Sequence, residues 1–149
     1  MMEILFYQID NQPIGQVLPR LLEISLQRGW KVVVEAGDEE RVRALDSALW
    51  MGDDDSFLPH GTAEDGNAAL QPVYLTAGAE NPNGANVRFV LGGARLPDPQ
   101  GYERIVYLFE GRDETSLQTA RALWRAQKGA GLDLTYWQQD ENGAWKKKA

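Results

Sequence analysis

Short apolar runs alternate with amphipathic stretches along most of this chain. Glu3-Ile-Leu-Phe-Tyr-Gln-Ile9 reads as a buried first strand, and Asp10-Asn-Gln-Pro as the turn after it. From Gly15 to Arg28, the residues Val17, Leu18, Leu21, Leu22 and Ser25 recur at helical spacing, with Gly29 as the stop. Lys31-Val-Val-Val-Glu35 is rich in β-branched residues and predicts a second strand. Asp38 is placed to cap a second helix, with Glu39 and Glu40 near its positive end. Strand, helix, strand, helix in this rhythm predicts parallel strands joined by right-handed crossovers.

The second half is less regular. Thr62 to Gln71 reads as a loop and Pro72-Val-Tyr-Leu-Thr76 as a third strand. Residues 79–86 are strong turn chemistry, with left-handed backbone cheapest at Asn83 and Gly84. Val87 to Leu91 forms a fourth strand ended by Gly92-Gly93, and a loop runs through Leu96-Pro-Asp-Pro. Arg104 to Phe109 is apolar enough to be a central fifth strand. Asp113 caps a last helix reaching about Gln127. The alternating segment Leu132 to Gln138, an Asn142-Gly143 turn and Ala144-Trp-Lys predict a C-terminal hairpin. The fold class is α/β: a single-domain, Rossmann-like three-layer sandwich over residues 1–149. It has a mostly parallel sheet, helices on both faces and that terminal hairpin.

Composition narrows this picture. With no cysteine among 149 residues, disulfides and thiolate metal sites are excluded. The start has no basic region followed by an apolar one, and no apolar run could span a membrane, so a cytoplasmic location is expected. A net charge of -7 argues against direct nucleic-acid binding by the domain as a whole. The charge is uneven. Residues 1–114 hold 9 Lys/Arg against 19 Asp/Glu, whereas residues 115–149 hold 6 against 3. Lys146, Lys147 and Lys148 read as a solvated basic end that aids association with an acidic partner electrostatically.

Signs of catalysis are sparse. Ligands of doubly wound sheets sit beyond the carboxyl ends of the strands, which here singles out Asp10 and Ala36-Gly37-Asp38. The first turn lacks a glycine-rich phosphate loop, and Gly92-Gly93 opens no helix. Asp53, Asp54 and Asp55 lack calcium-loop spacing and read as a solvated acidic turn. His60, the only histidine, fits a turn-supporting or surface role better than a general base. No metal or cofactor is expected. A small nucleotide- or phosphate-handling enzyme is the alternative reading of the fold.

Two patches carry more information. Val42, Leu45 and Leu49 share a helical stripe, and Trp50 stands roughly 110° from its middle at the helix end. After Gly52 and three aspartates come Phe57, Leu58 and Pro59. These aromatics either fold back onto their own domain or form an exposed apolar patch that meets a protein partner. On the last helix, Arg121, Arg125 and Lys128 cluster within roughly 60° of one another, with Trp124 beside them on the edge of a Leu117/Ala120/Leu123 stripe. The cations either complement the helix dipole or form a cradle, beside an aromatic wall, for an acidic peptide or a terminal carboxylate.

The segment Leu45-Asp-Ser-Ala-Leu-Trp50, six further residues and Phe57-Leu-Pro-His60 resembles the chi subunit family of bacterial DNA polymerase III. The resemblance extends to the Phe6-Tyr7 strand and to the Ala-Gly-Leu end of the last helix. It implies a non-catalytic clamp-loader accessory subunit acting in DNA replication, with polymerase activity residing elsewhere in the holoenzyme. It further implies contact with a psi-type subunit through Trp50 and Phe57, to which Leu58 and Pro59 are adjacent. The acidic C-terminal tail of single-stranded-DNA-binding protein would bind at Arg121, Trp124 and Arg125, with Lys128 beyond them. Another apolar-faced protein, such as a helicase, is the alternative partner for the apolar patch. Leu117 stands where some family members carry a lysine.

Overall fold

The computed structural model describes residues 3–10, 12, 14–50, 60–62, 65–78, 80–91, 102–130, 133–142 and 144–148, with Trp50 in its backbone only. Its strands are β1 (Glu3–Ile9), β2 (Val32–Glu35), β3 (Gly61–Thr62), β4 (Val73–Thr76), β5 (Val87–Leu91), β6 (Arg104–Glu110), β7 (Asp133–Gln139) and β8 (Trp145–Lys147). Its helices are α1 (Ile14–Gln27), α2 (Glu39–Trp50) and α3 (Glu114–Gly129). The strands form one sheet in the order β3-β4-β2-β5-β6-β1-β7-β8. Every neighbouring pair is parallel except β7 and β8, which form the expected hairpin.

The pleat sorts each strand's side chains onto two faces. On one face Val32, Val34, Phe89, Val106 and Leu108 meet Val17, Leu18 and Leu22 of α1 and Val42, Leu45 and Leu49 of α2. On the other, Ile4, Phe6, Ile105, Tyr107 and Phe109 meet Leu117, Ala120, Leu123 and Trp124 of α3. Both layers are driven by apolar burial, at about 1.5–3 kcal/mol for each large side chain fully removed from water. Strands β1, β5 and β6 are nearly all buried, which explains why they read as continuous apolar runs rather than alternations.

The helix ends follow local chemistry. Gly29 takes φ +80 after α1, and the Trp30 N–H then donates to the Ser25 carbonyl at 3.2 Å. Asp38 accepts the Arg41 N–H at 2.8 Å, and Asp113 accepts the Ser116 N–H at 3.3 Å, so both capping aspartates serve as expected.

Two expectations are corrected. Residues 62–71 are not simply loop: Gly61–Thr62 pairs in parallel with β4, and Ala68–Leu70 forms a turn of 3-10 helix. A two-residue strand is too short to show a period in sequence. In the 80–86 turn Gly84 takes φ +64, but Asn83 does not enter the left-handed region. Asn83 is buried instead, its amide donating to the Val32 carbonyl at 3.1 Å and the Gln71 carbonyl at 2.9 Å. An asparagine can serve a turn by its backbone or its side chain, and here the side chain decides.

Arg88 pins the region of the second face near that turn. It is fully buried, and Nε and Nη2 donate to Glu35 Oε1 at 2.9 and 2.5 Å. The same guanidinium donates to the carbonyls of Gly78 at 2.6 Å and Glu80 at 3.0 Å. No helix among the described residues is long and apolar enough to cross a membrane.

Candidate functional site

The register of β1 against β7 sets Phe6 beside Tyr136 and Gln8 beside Gln138. Helix α3 packs over this part of the sheet through Trp124, whose ring meets Phe6 edge-on at 5.5 Å and Tyr136 edge-on at 5.7 Å. Strand β8 continues the sheet beyond β7. At this margin of α3 lies an open cleft of about 410 Å³. Arg121, Trp124 and Arg125 line it from the helix, and Gln8, Tyr136, Gln138 and Lys148 from the strands and the hairpin end.

Three of the four expected residues therefore come together. The fourth, Lys128, holds its ammonium 5.7 Å from the centre of the Trp124 ring. It braces the indole by a cation–π contact rather than lining the cleft, and its charge still adds to the local positive field. Arg121 and Arg125 are exposed, and among the described residues no carboxylate lies within ion-pair distance of either.

The floor is polar and ordered. Tyr136 donates its hydroxyl proton to Gln8 Oε1, and Gln8 Nε2 donates to Asp10 at 3.0 Å. Gln138 Nε2 donates to the other Asp10 oxygen at 2.9 Å. Burial pushes the Tyr136 phenol above its ordinary range; the Arg121 charge opposes this and the Asp10 charge adds to it. Tyr136 is thus a neutral hydroxyl at physiological pH. Asp10 is committed to this network, as Asp38 is to its cap, so neither carboxylate singled out beyond the strand ends is idle.

Tyr136, Gln8 and Gln138 were not foreseen as site residues, and Lys148 was expected only as part of a basic end that aids association by its charge. Their signal is the period-2 alternation of β7, which shows that Tyr136 and Gln138 share a face. It could not show that β7 lies beside β1, or that α3 covers that face.

The second patch is described only at its edges. Val42, Leu45 and Leu49 are buried as expected. The Trp50 side chain, Phe57, Leu58 and Pro59 lie outside the described residues, as do Asp53 to Asp55 and Gly92-Gly93. His60, expected at a turn or surface, is 5% exposed, with Nε2 at 3.1 Å from Asp46 Oδ1 on α2. The Asp and His of the 45–60 segment thereby tie its two ends together. Beyond them, the Thr62 N–H donates to Asp65 at 2.8 Å.

Fold and site together define a class: a small, mostly parallel α/β domain with an open cationic and aromatic cleft at the margin of its last helix. Comparison with known proteins narrows this. The chain belongs to the family described as DNA polymerase III chi subunit, HolC, whose model matches residues 1–135. It is similar to the probable DNA polymerase III subunit chi of Rickettsia prowazekii (strain Madrid E), at 30% identity over 91 residues. That match covers 61% of this chain and 55% of the Rickettsia protein. It is also similar to the DNA polymerase III subunit chi of Escherichia coli (strain K12), at 26% identity over 136 residues, covering 87% of this chain and 92% of the relative. The family match ends at Thr135, so Tyr136, Gln138 and Lys148 lie beyond it.

Proposed function

We propose that this chain is a non-catalytic accessory subunit of the DNA polymerase III clamp loader. It joins a psi-type subunit, bound at Trp50, Phe57, Leu58 and Pro59, to the acidic C-terminal tail of single-stranded-DNA-binding protein. The observation that carries the second half is the cleft. Arg121 and Arg125 stand beside Trp124 and Tyr136, without a carboxylate partner among the described residues, in a chain of net charge -7. Family membership and the 45–60 segment support the first half.

The chemistry suits a peptide end that is both acidic and apolar. Trp124 and Tyr136 offer ring surface to a terminal aromatic side chain, and a guanidinium can grip a carboxylate through two parallel N–H donors. Arg121 and Tyr136 line the same cleft as Trp124, so one ligand can meet charge and ring together. Hydrogen bonds to charged groups contribute about 1.5–3 kcal/mol each.

The test is titration calorimetry with a synthetic peptide ending in several aspartates and a C-terminal phenylalanine. Arg121→Glu replaces attraction with repulsion, and the expected loss is about 2–5 kcal/mol, enough to remove measurable binding. Wild-type binding should also weaken with added salt. A folded Arg121→Glu protein that binds as tightly as wild type would overturn the reading.

A further inference from the structure

We propose that the C-terminal strand is the second wall of this acidic-peptide site, with Lys148 binding a carboxylate of the same tail that Arg121 and Arg125 hold. The proposal rests on the peptide reading above and adds to it a contact from outside the stretch that the family model matches.

The hairpin sorts its three lysines by side. Trp145 stacks on Tyr7 at 4.9 Å, with 26° between the rings, and packs on the core layer of α1 and α2. Side chains alternate along β8, so Lys147 shares the side of Trp145 and stands opposite Trp137 in the register, whereas Lys146 falls on the α3 side, and Lys148, just past the strand end, lines the cleft against α3. The Lys148 N–H donates to the Tyr136 carbonyl at 2.7 Å, which anchors this last lysine beside the cleft. Lys148 lines the cleft with Arg121 and Arg125, and no carboxylate among the described residues is within ion-pair distance of it. On the helix, the turn before Arg121 offers no cation, because Leu117 packs into the core there.

The neighbouring cleft suits the tail less well. That cleft, of about 300 Å³, shares Gln138 and Lys148 with the first and adds Asp10, Asp140 and Glu141, with Lys146 as its other cation. Asp140 and Glu141, with Asp10 at the border of the two clefts, face Lys146 and the shared Lys148 there, which makes it less favourable to a polyanion than the first cleft. The anionic part of a bound tail is therefore favoured between α3 and Lys148.

The three lysines give the test an internal control, since Lys147 and Lys148 carry the same charge one residue apart on opposite sides. The full chain is titrated with the aspartate-rich, phenylalanine-ended peptide as wild type, Lys148→Ala, Lys147→Ala and Arg121→Glu, with circular dichroism of each. Lys148→Ala should weaken binding about tenfold and flatten its salt dependence, and Lys147→Ala should stay within about twofold of wild type. Replacing the peptide's aspartates by asparagine one at a time should reveal one position whose loss is no longer felt in Lys148→Ala. Equal effects of Lys148→Ala and Lys147→Ala would reduce the tail to diffuse attraction and overturn the second wall. If Arg121→Glu abolishes binding while Lys148→Ala does not weaken it, the peptide reading stands and only this inference falls. If a folded Arg121→Glu binds like wild type, both fall.

Discussion

Arg88 shows how much a single side chain can decide in this fold. A fully buried guanidinium loses its hydration, and here Glu35 and two main-chain carbonyls replace it. Removing the cation alone would leave Glu35 charged and nearly buried. Arg88→Met should therefore lower the stability by about 3–5 kcal/mol, and Arg88→Met with Glu35→Leu should regain the part due to the uncompensated carboxylate but not the part due to the Gly78 and Glu80 carbonyls, which lose their donor in both. Urea midpoints of the three proteins measure this. A single variant within about 1 kcal/mol of wild type would show that the ion pair does not anchor the second face.

At the scale of elements, the 78–86 connection is held by hydrogen bonds rather than by apolar packing alone. Tyr74 and Thr76 donate their hydroxyls to Glu80 Oε2 at 3.0 and 2.7 Å, while the Glu80 carbonyl accepts from Arg88. The Thr76 hydroxyl, against some desolvation and with help from Tyr74 and Arg88, holds the Glu80 carboxyl below its ordinary range. Its ionised form is thus favoured in the folded state. The stabilisation is present above the unfolded-state value and is lost as pH falls through the lower folded value. Glu80→Gln should be less stable than wild type at neutral pH, and the gap should narrow as pH falls below the ordinary carboxylate range, which thermal melts at several pH values would reveal. A gap that stays constant down to acid pH would assign the effect to shape rather than charge.

For the whole molecule, a bridging role requires two surfaces that work without each other. Helix α2, which carries residues 45–50 of the first surface, packs on one face of the sheet, and the cationic cleft lies against α3 on the other. Trp50→Ala or Phe57→Ala should leave the fold intact and reduce association with a psi-type subunit by about 2 kcal/mol or more, without altering affinity for the acidic peptide. Arg121→Glu should do the reverse, and the double variant should show the two losses side by side. Pull-down with each purified partner measures this. A Trp50→Ala protein that unfolds at room temperature would place that ring in the core instead.

The sequence by itself determined the parts that depend on neighbours along the chain. The apolar runs of β1, β2, β5 and β6, the caps Asp38 and Asp113, the Gly29 stop and the pairing of β7 with β8 all follow from local periodicity and backbone preference, while Gly143 of the expected Asn142-Gly143 turn lies outside the described residues. So did the grouping of Arg121, Trp124 and Arg125, because helical spacing alone sets them together. What tertiary structure decided is everything that rests on strand order. β1 is flanked by β6 and β7, so Gln8 and Tyr136, far apart along the chain, share one hydrogen bond. The burial of Arg88 and His60 was equally hidden, since each is matched by a carboxylate on another element. Lys148 reads as a solvated tail residue until the pairing of β8 with β7 carries it back into the cleft. Periodicity reports which side chains share a face of one element; only the packing of elements, driven by burial of that face, reports what the face meets.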